Sequence, residues 1–457
     1  MRRSPIFPLL LIGIVIAVAF WAAQGHYPST PDVQASGGHN AQASLAGTAP
    51  DAQSEAQPKP TLVPPPTYEP TPKPQDIPAD VADQITEIEA QTSYLRGLKP
   101  LDEVPNTFLT RSEFHDHYKQ EMQASYAPEE VRQYLQELWL MRLVDSPSID
   151  FYEASADLGS DDILGYYDPT QKHMYVITDK ISTLSPEAQV TLSHEYTHSL
   201  QDQHYHLDHV WPIGVTDRDR VLAIRALVEG DATLSGYAWG YSYMSGQDFS
   251  SLFEAREISA DVQVKTPVYL GMLTIFPYVA GLNFVSKLMD VGSFSTVNLS
   301  LQDPPRSTEQ IMHPEKFLQT PIDQPKTVSM PDLLPALGTP WELGESNTLG
   351  ELDLNYILNL NKAKDPDVGA DGWGGGKFTY YHLAQEGLVY AKVTWDTDKD
   401  AQEFEDSMHE TLAPYEKSGN FWTKDGRFFW MRHDGKIITF VASTNEPALE
   451  RVVAAEK

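Results

Sequence analysis

The chain is 457 residues long, with 64 acidic against 33 basic side chains and a formal net charge of −31. That balance argues against nucleic acid as a partner and against docking on anionic lipid, since both would repel it. No cysteine is present, which excludes a disulfide framework and a cysteine-linked lipid. Stability must come from a core, and the chain beyond residue 78 is long enough to bury one.

Arg2 and Arg3 precede an apolar run, Ile6–Ala23, and no basic residue follows it until Lys59. Used whole, the run is at the short end of a membrane span, and the arginines hold residues 1–5 as a cytoplasmic tip. Cleavage after Ala19 is the alternative, with Ala17 and Ala19 at the −3 and −1 positions. In the first case residues 6–23 are a transmembrane signal-anchor and the rest is extracytoplasmic at the cell membrane; in the second the rest is secreted. Residues 24–78, rich in Pro, Ala, Ser and Gln, read as a semi-extended linker that lifts the rest of the chain off the bilayer.

Residues 79–338 form the next unit. From Val81 to Glu153 the pattern is helical, with Val131–Met141 its clearest stripe, giving an N-terminal lobe. Ile163–Tyr167, a turn at Asp168-Pro169 and Lys172–Thr178 read as a β-hairpin. A helix comes next: Ser185 caps it, Pro186 takes its first position, Glu187 suits the positive dipole end, and neither Pro nor Gly interrupts Ala188–Gln203. It carries His194-Glu195-Tyr196-Thr197-His198. Residues i and i+4 share a helix face, so both imidazoles can hold one metal ion. Glu195 points about 100° round from His194, where it reaches a metal-bound water as general base.

A catalytic zinc site needs three protein ligands and one open position. One candidate for the third is Glu229, on a second helix from a cap near Thr216 to about Tyr243. The other is His204, at the metzincin spacing, but that pattern needs a Gly where this chain has Gln201. On a continuous helix His204 points roughly 240° away from His198 and cannot share its metal. With the His194–His198 motif and the run Glu229-Gly230-Asp231-Ala232, the chain resembles the gluzincin class of zinc metallopeptidases, as a bacterial envelope member. The resemblance implies Zn2+ held by His194, His198 and Glu229, with Glu195 as base. It also implies that the strand ahead of the metal helix holds an extended substrate. Two positions depart from the best-known gluzincin pattern: Val228 stands where Asn precedes the ligand Glu, and Thr233 where an Asp orients a histidine. Asp231 is near, but two residues along a helix puts it on the opposite face. The residue that orients the histidines is not identified.

Downstream, Pro304–Pro314 contains Arg306 and His313, with Ser307 placed to cap a short helix. Both are candidates to contact the substrate carbonyl or the developing oxyanion. Tyr205 and Tyr237 offer the same chemistry without a spacing that selects them. His204, His206 and His209 read as histidines near a helix C-terminus rather than a second metal site. Val268–Ser286 carries no charge, yet Tyr269, Thr274, Pro277, Tyr278, Gly281 and Asn283 mark it as a buried core helix kinked at Pro277. The region Val268–Met289 would partly cover the cleft between the helices of His194 and Glu229.

From 339 to 457 the pattern is that of a small α+β module. Strands at Lys377–His382 and Gly387–Trp395 precede a helix at Asp398–Leu412. A hairpin of Phe428–His433 and Lys436–Ala442 turns on Asp434-Gly435, and a final helix lies near Pro447. Asp371–Gly376 reads as a tight loop. The acidic run Asp396–Asp400 gives no calcium site, because Ala401 stands where a calcium loop needs Gly.

The expected fold class is α+β: a mainly helical zincin-like catalytic domain with a small edge-strand sheet, then the C-terminal module, behind an N-terminal membrane anchor. The expected activity is hydrolysis of a peptide or protein substrate through a zinc-activated water, as an endopeptidase. The alternative is a catalytically inactive zincin-fold envelope scaffold or binding protein.

Overall fold

The computed structural model describes residues 11–12, 78–160, 164–177, 184–207, 216–253 and 267–456. The expected cytoplasmic tip, the linker to residue 77, all of the anchor except Leu11–Ile12, and His209 lie outside them. The architecture is mixed α+β, with two sheets packed against helices.

Helix α1 (Ala79–Arg96) ends on Gly97, whose φ of +73° closes the helix in the left-handed region. Strand β2 (Asn106–Leu109) then interrupts a stretch whose pattern reads as all helix. It pairs in parallel with a strand far along the chain, so no local signal announces it. Thr110 caps α2 (Arg111–Ser125) through a reciprocal pair with Glu113. Helix α3 (Pro128–Leu140) buries Val131, Tyr134, Leu135 and Leu138, and α4 spans Phe151–Ser160.

Strands β3 (Gly165–Asp168) and β4 (His173–Ile177) form the expected hairpin, with Tyr166 opposite Tyr175. The outer edge of β3 pairs antiparallel with β1 (Leu11–Ile12), and β2 lies beyond β4, giving the order β1-β3-β4-β2; these two residues, expected inside a membrane-spanning helix, are instead extended and satisfy their backbone in this sheet. Helix α5 (Pro186–Tyr205) begins as its sequence dictates, the Ser185 hydroxyl accepting the Ala188 N–H. Helix α6 (Arg218–Tyr243) is capped by Asp217, one residue past the expected Thr216. A short helix, α7 (Gly246–Ser251), comes after it.

Helix α8 (Val268–Gln302) is the one described helix long and apolar enough to cross a membrane, and most of its apolar stretch is buried in protein. The expected kink at Pro277 is not where the helix breaks. Non-helical dihedrals fall at Gly292 and Ser293, the latter with φ +58°. A proline forfeits one hydrogen bond and can stay in a packed helix, whereas a residue at positive φ leaves helical geometry altogether.

The remaining elements are α9 (Thr308–Met312), α10 (Pro314–Leu318), α11 (Leu334–Leu337), β5 (Glu342–Thr348), α12 (Glu351–Leu360), α13 (Pro366–Ala370), β6 (Trp373–Leu383), β7 (Glu386–Trp395), α14 (Asp398–Leu412), β8 (Glu416–Ser418), β9 (Phe421–Lys424), β10 (Arg427–Asp434), β11 (Ile437–Ser443) and α15 (Glu446–Ala455). Their strands form one antiparallel sheet in the order β5-β6-β7-β11-β10-β9-β8. Alternation divides it: Val389, Ala391 and Val393 join the core of Phe404 and Met408, while Leu388 and Tyr390 join that of Leu449. Trp373–Gly376 is not a loop, as expected, but the start of β6. A Cβ at Gly375 or Gly376 would lie 2.3 Å from the carbonyl oxygen of Lys326 or Leu349, so close backbone approach requires these glycines. The sheet is tied to the helical part through Asn347 of β5, which accepts the Arg218 N–H and donates to the Thr216 carbonyl.

Candidate metal centre

Helix α5 stacks His194 and His198 one turn apart, and α6 presents Glu229 to both. Nε2 of His194 lies 3.0 Å from Nε2 of His198, and Oε2 of Glu229 lies 3.2 Å and 3.3 Å from these two atoms. All three side chains are at most 1% exposed. Zinc with four ligands at about 2.0–2.1 Å keeps neighbouring ligand atoms about 3.3–3.4 Å apart. The spacing and the two-imidazole, one-carboxylate donor set therefore fit a zinc ion.

Electrostatics agree with that chemistry. Burial opposes charge on Glu229, yet His198, His194 and Arg225 hold its carboxyl well below the usual range. Burial pushes His194 below its ordinary value, against the pull of Glu229, which favours the neutral imidazole that a metal requires. Nδ1 of His194 has no hydrogen-bond partner among the described residues.

Glu195 is buried beside this cluster, and one of its oxygens, Oε2, accepts the Tyr167 N–H at 2.8 Å. The Tyr167 hydroxyl donates to Asp202 Oδ2, also on α5, at 2.7 Å. Two bonds from one residue thus fix β3 against the helix that carries Glu195. A Cβ at Gly165 would meet the Glu195 side chain at 3.4 Å, so the strand runs close past the carboxylate.

His198 is oriented by Gln201. Nδ1 of His198 lies 2.8 Å from Gln201 Oε1, and Gln201 Nε2 donates to Asp231 Oδ2 at 2.8 Å. Arg96, the last residue of α1, pairs with both oxygens of Asp231 at 2.7 and 2.9 Å. Asp231 does face away from Glu229, as helix geometry requires, but there it meets a glutamine that reaches back to the histidine. By sequence Gln201 stands out only as a missing glycine, and no spacing rule connects it to Asp231.

Two further residues near the cluster were missed in the sequence. Arg225, one turn before Glu229, brings Nε to 3.7 Å from Glu229 Oε1; the i,i+4 spacing was a usable signal. Tyr278 of α8 stacks beside His194, ring centroids 6.0 Å apart. Burial, then the Glu229 charge, pushes its hydroxyl well above the ordinary value, and neighbouring Arg225 works against this. Tyr278 lies in a run whose composition signals only packing.

The other candidates sit elsewhere. His204 Nε2 bonds the Lys99 carbonyl at 2.7 Å, and His206 ends α5 at φ +56°. His313 pairs with Glu351 at 2.8 Å and lies 3.8 Å from Asp371 and from Glu315. Arg306 pairs with Asp303, and its N–H donates to Gln310. Neither is bonded to His194, Glu195, His198 or Glu229. The acidic trio Glu309, Asp323 and Asp396 already surrounds a cation, the Lys316 ammonium.

Among known proteins, a family model described as a domain of unknown function (DUF8575) matches residues 340–453, the seven-stranded sheet with its helices and none of the metal-cluster residues. No curated protein and no solved structure matches the chain.

Proposed function

We propose that the chain is a zinc-dependent metallopeptidase of the gluzincin type, with a zincin-like catalytic part outside the cytoplasm. One observation carries the reading: Nε2 of His194, Nε2 of His198 and Oε2 of Glu229 lie within 3.3 Å of one another. His194, His198 and Glu229 would hold the ion. The chemistry that zinc supplies there is Lewis acidity, which lowers the pKa of water and polarises a carbonyl.

Glu195 removes the proton of the attacking water and returns it to the leaving amine, its carboxylate held in place by the Tyr167 N–H. Strand β3 passes beside Glu195, and an extended peptide that took the place of Leu11–Ile12 along it would run past that carboxylate. Tyr278, with Arg225 beside it, faces the His194 ring and is better placed to donate to an oxyanion than His313 or Arg306, which are engaged with Glu351 and Asp303.

The test is bound zinc together with cleavage of a broad peptide library, for wild type and Glu195→Gln. About one zinc per chain in both proteins, with cleavage by wild type alone, is the expected result. Zinc retained without turnover in wild type would favour an inactive envelope scaffold, and a wild type that takes up no zinc sinks the reading.

A further inference from the structure

We propose that Gln201 is a positioning residue: it fixes His198 as the Nδ1–H tautomer and so presents the Nε2 lone pair to the metal, with Asp231 and Arg96 locking Gln201 in that orientation. The metal's identity rests on the zinc-peptidase reading; the tautomer does not.

Donors and acceptors around Gln201 can be matched in one way. Gln201 Nε2 lies 3.0 Å from the Val228 carbonyl oxygen and 2.8 Å from Asp231 Oδ2. Both partners accept only, so this end of the amide is the NH2 group, with both hydrogens committed. The opposite end is the carbonyl oxygen, and it faces His198 Nδ1 at 2.8 Å. A carbonyl oxygen cannot donate, so the hydrogen is on Nδ1. A neutral His198 then carries its lone pair on Nε2, the atom that faces His194 and Glu229. Metal-holding imidazoles are oriented in this way by an acceptor at the other ring nitrogen.

The reverse amide orientation would set an oxygen against both Val228 O and Asp231 Oδ2, with Gln201 and Asp231 fully buried. Nothing there could relieve the mismatch. Arg96 keeps Asp231 an acceptor through its two-point pair, and is itself braced by Asn298 Oδ1 at 2.8 Å and by the Phe294 ring, 4.5 Å from its guanidinium carbon. Four elements (α1, α5, α6 and the part of α8 beyond its break) therefore converge on the orientation of one ring.

The tautomer is read in the metal-free full chain by long-range proton–nitrogen correlation on 15N-histidine-labelled protein, and zinc affinity by competition with a chelator. Wild type should show His198 as Nδ1–H. In Gln201→Leu the preference should vanish and zinc should bind roughly 10–100-fold more weakly. Gln201→Glu sets a carboxylate against Asp231 and should weaken zinc similarly; adding Asp231→Asn supplies an N–H to that carboxylate and should restore most of the loss. A merely structural glutamine predicts no such rescue. The proposal is overturned by an Nε2–H His198 in wild type, by unchanged affinity in Gln201→Leu, or by a double variant no better than Gln201→Glu. A wild type with the Nδ1–H tautomer that takes up no zinc supports the assignment to Gln201 and overturns the zinc reading instead.

Discussion

Gly230 of α6 and Gly281 of α8 meet backbone to backbone: a Cβ on Gly230 would fall 2.2 Å from the Gly281 carbonyl oxygen, and one on Gly281 would fall 2.0 Å from that of Ala226. Glu229 precedes the first glycine and Tyr278 lies just before the second, so this crossing sets how near the tyrosine stands to the ligand helix. Gly281→Ala should destabilise the protein by about 1–3 kcal/mol, toward the upper end because the obstacle is backbone. Urea unfolding measures it; an unchanged midpoint would mean that the helices separate without cost.

The ligand set predicts a selective loss of metal. His194→Ala and Glu229→Gln should each abolish stoichiometric zinc binding, whereas His204→Ala should retain it, because His204 is occupied with the Lys99 carbonyl. Metal analysis of the purified variants decides between them. Loss in His204→Ala with retention in Glu229→Gln would transfer the third position to the histidine.

If Tyr278 steadies the oxyanion, Tyr278→Phe should lower kcat about 100-fold with little change in KM, since the contact forms only in the transition state. Arg306→Ala should leave both constants near wild type. Steady-state kinetics on any cleaved peptide tests the pair. An equal loss from both variants would reinstate the downstream run as part of the reaction centre.

His313 gives a pH dependence with a definite sign. Burial opposes its charge, but Glu351, Asp371 and Glu315 outweigh burial and lift its pKa to about 9 from the ordinary 6.5. A raised folded-state pKa stabilises the charged form. The contribution is therefore fully present below pH 6.5 and is lost as pH rises through about 9. Burial raises the Glu351 pKa above its ordinary value, with His313 pulling the other way. Thermal unfolding between pH 6 and 9.5 should show a decline in wild type that is shallower in His313→Gln. Parallel curves would show that the pair does not stabilise the fold.

Local chemistry made much of α5 legible. The Ser185 cap, Pro186 at the first turn and the i,i+4 histidines are statements about neighbours along one helix, and the structure reproduces each. The same holds for the hairpin at Asp434-Gly435, where Gly435 adopts φ +59° and the flanking strands pair from Asp434–Ile437 outward. Strand β2 was not legible, because its partner in parallel pairing lies beyond three intervening helices. The glycines of β6 were misread for a related reason: their necessity comes from Lys326 and Leu349, not from their own turn.

The sequence alone determined which faces carry chemistry, since helical periodicity fixes the direction in which His194, Glu195, His198 and Glu229 point from their own axes. It could not determine what waits across each face. That Asp231 reaches His198 through Gln201, that Arg96 neutralises Asp231, and that Tyr278 stacks beside His194 were decided by how α1, α5, α6 and α8 pack. The physical reason is that a period of 3.6 residues encodes a side chain's bearing, while its partner is set by contacts between segments far apart along the chain.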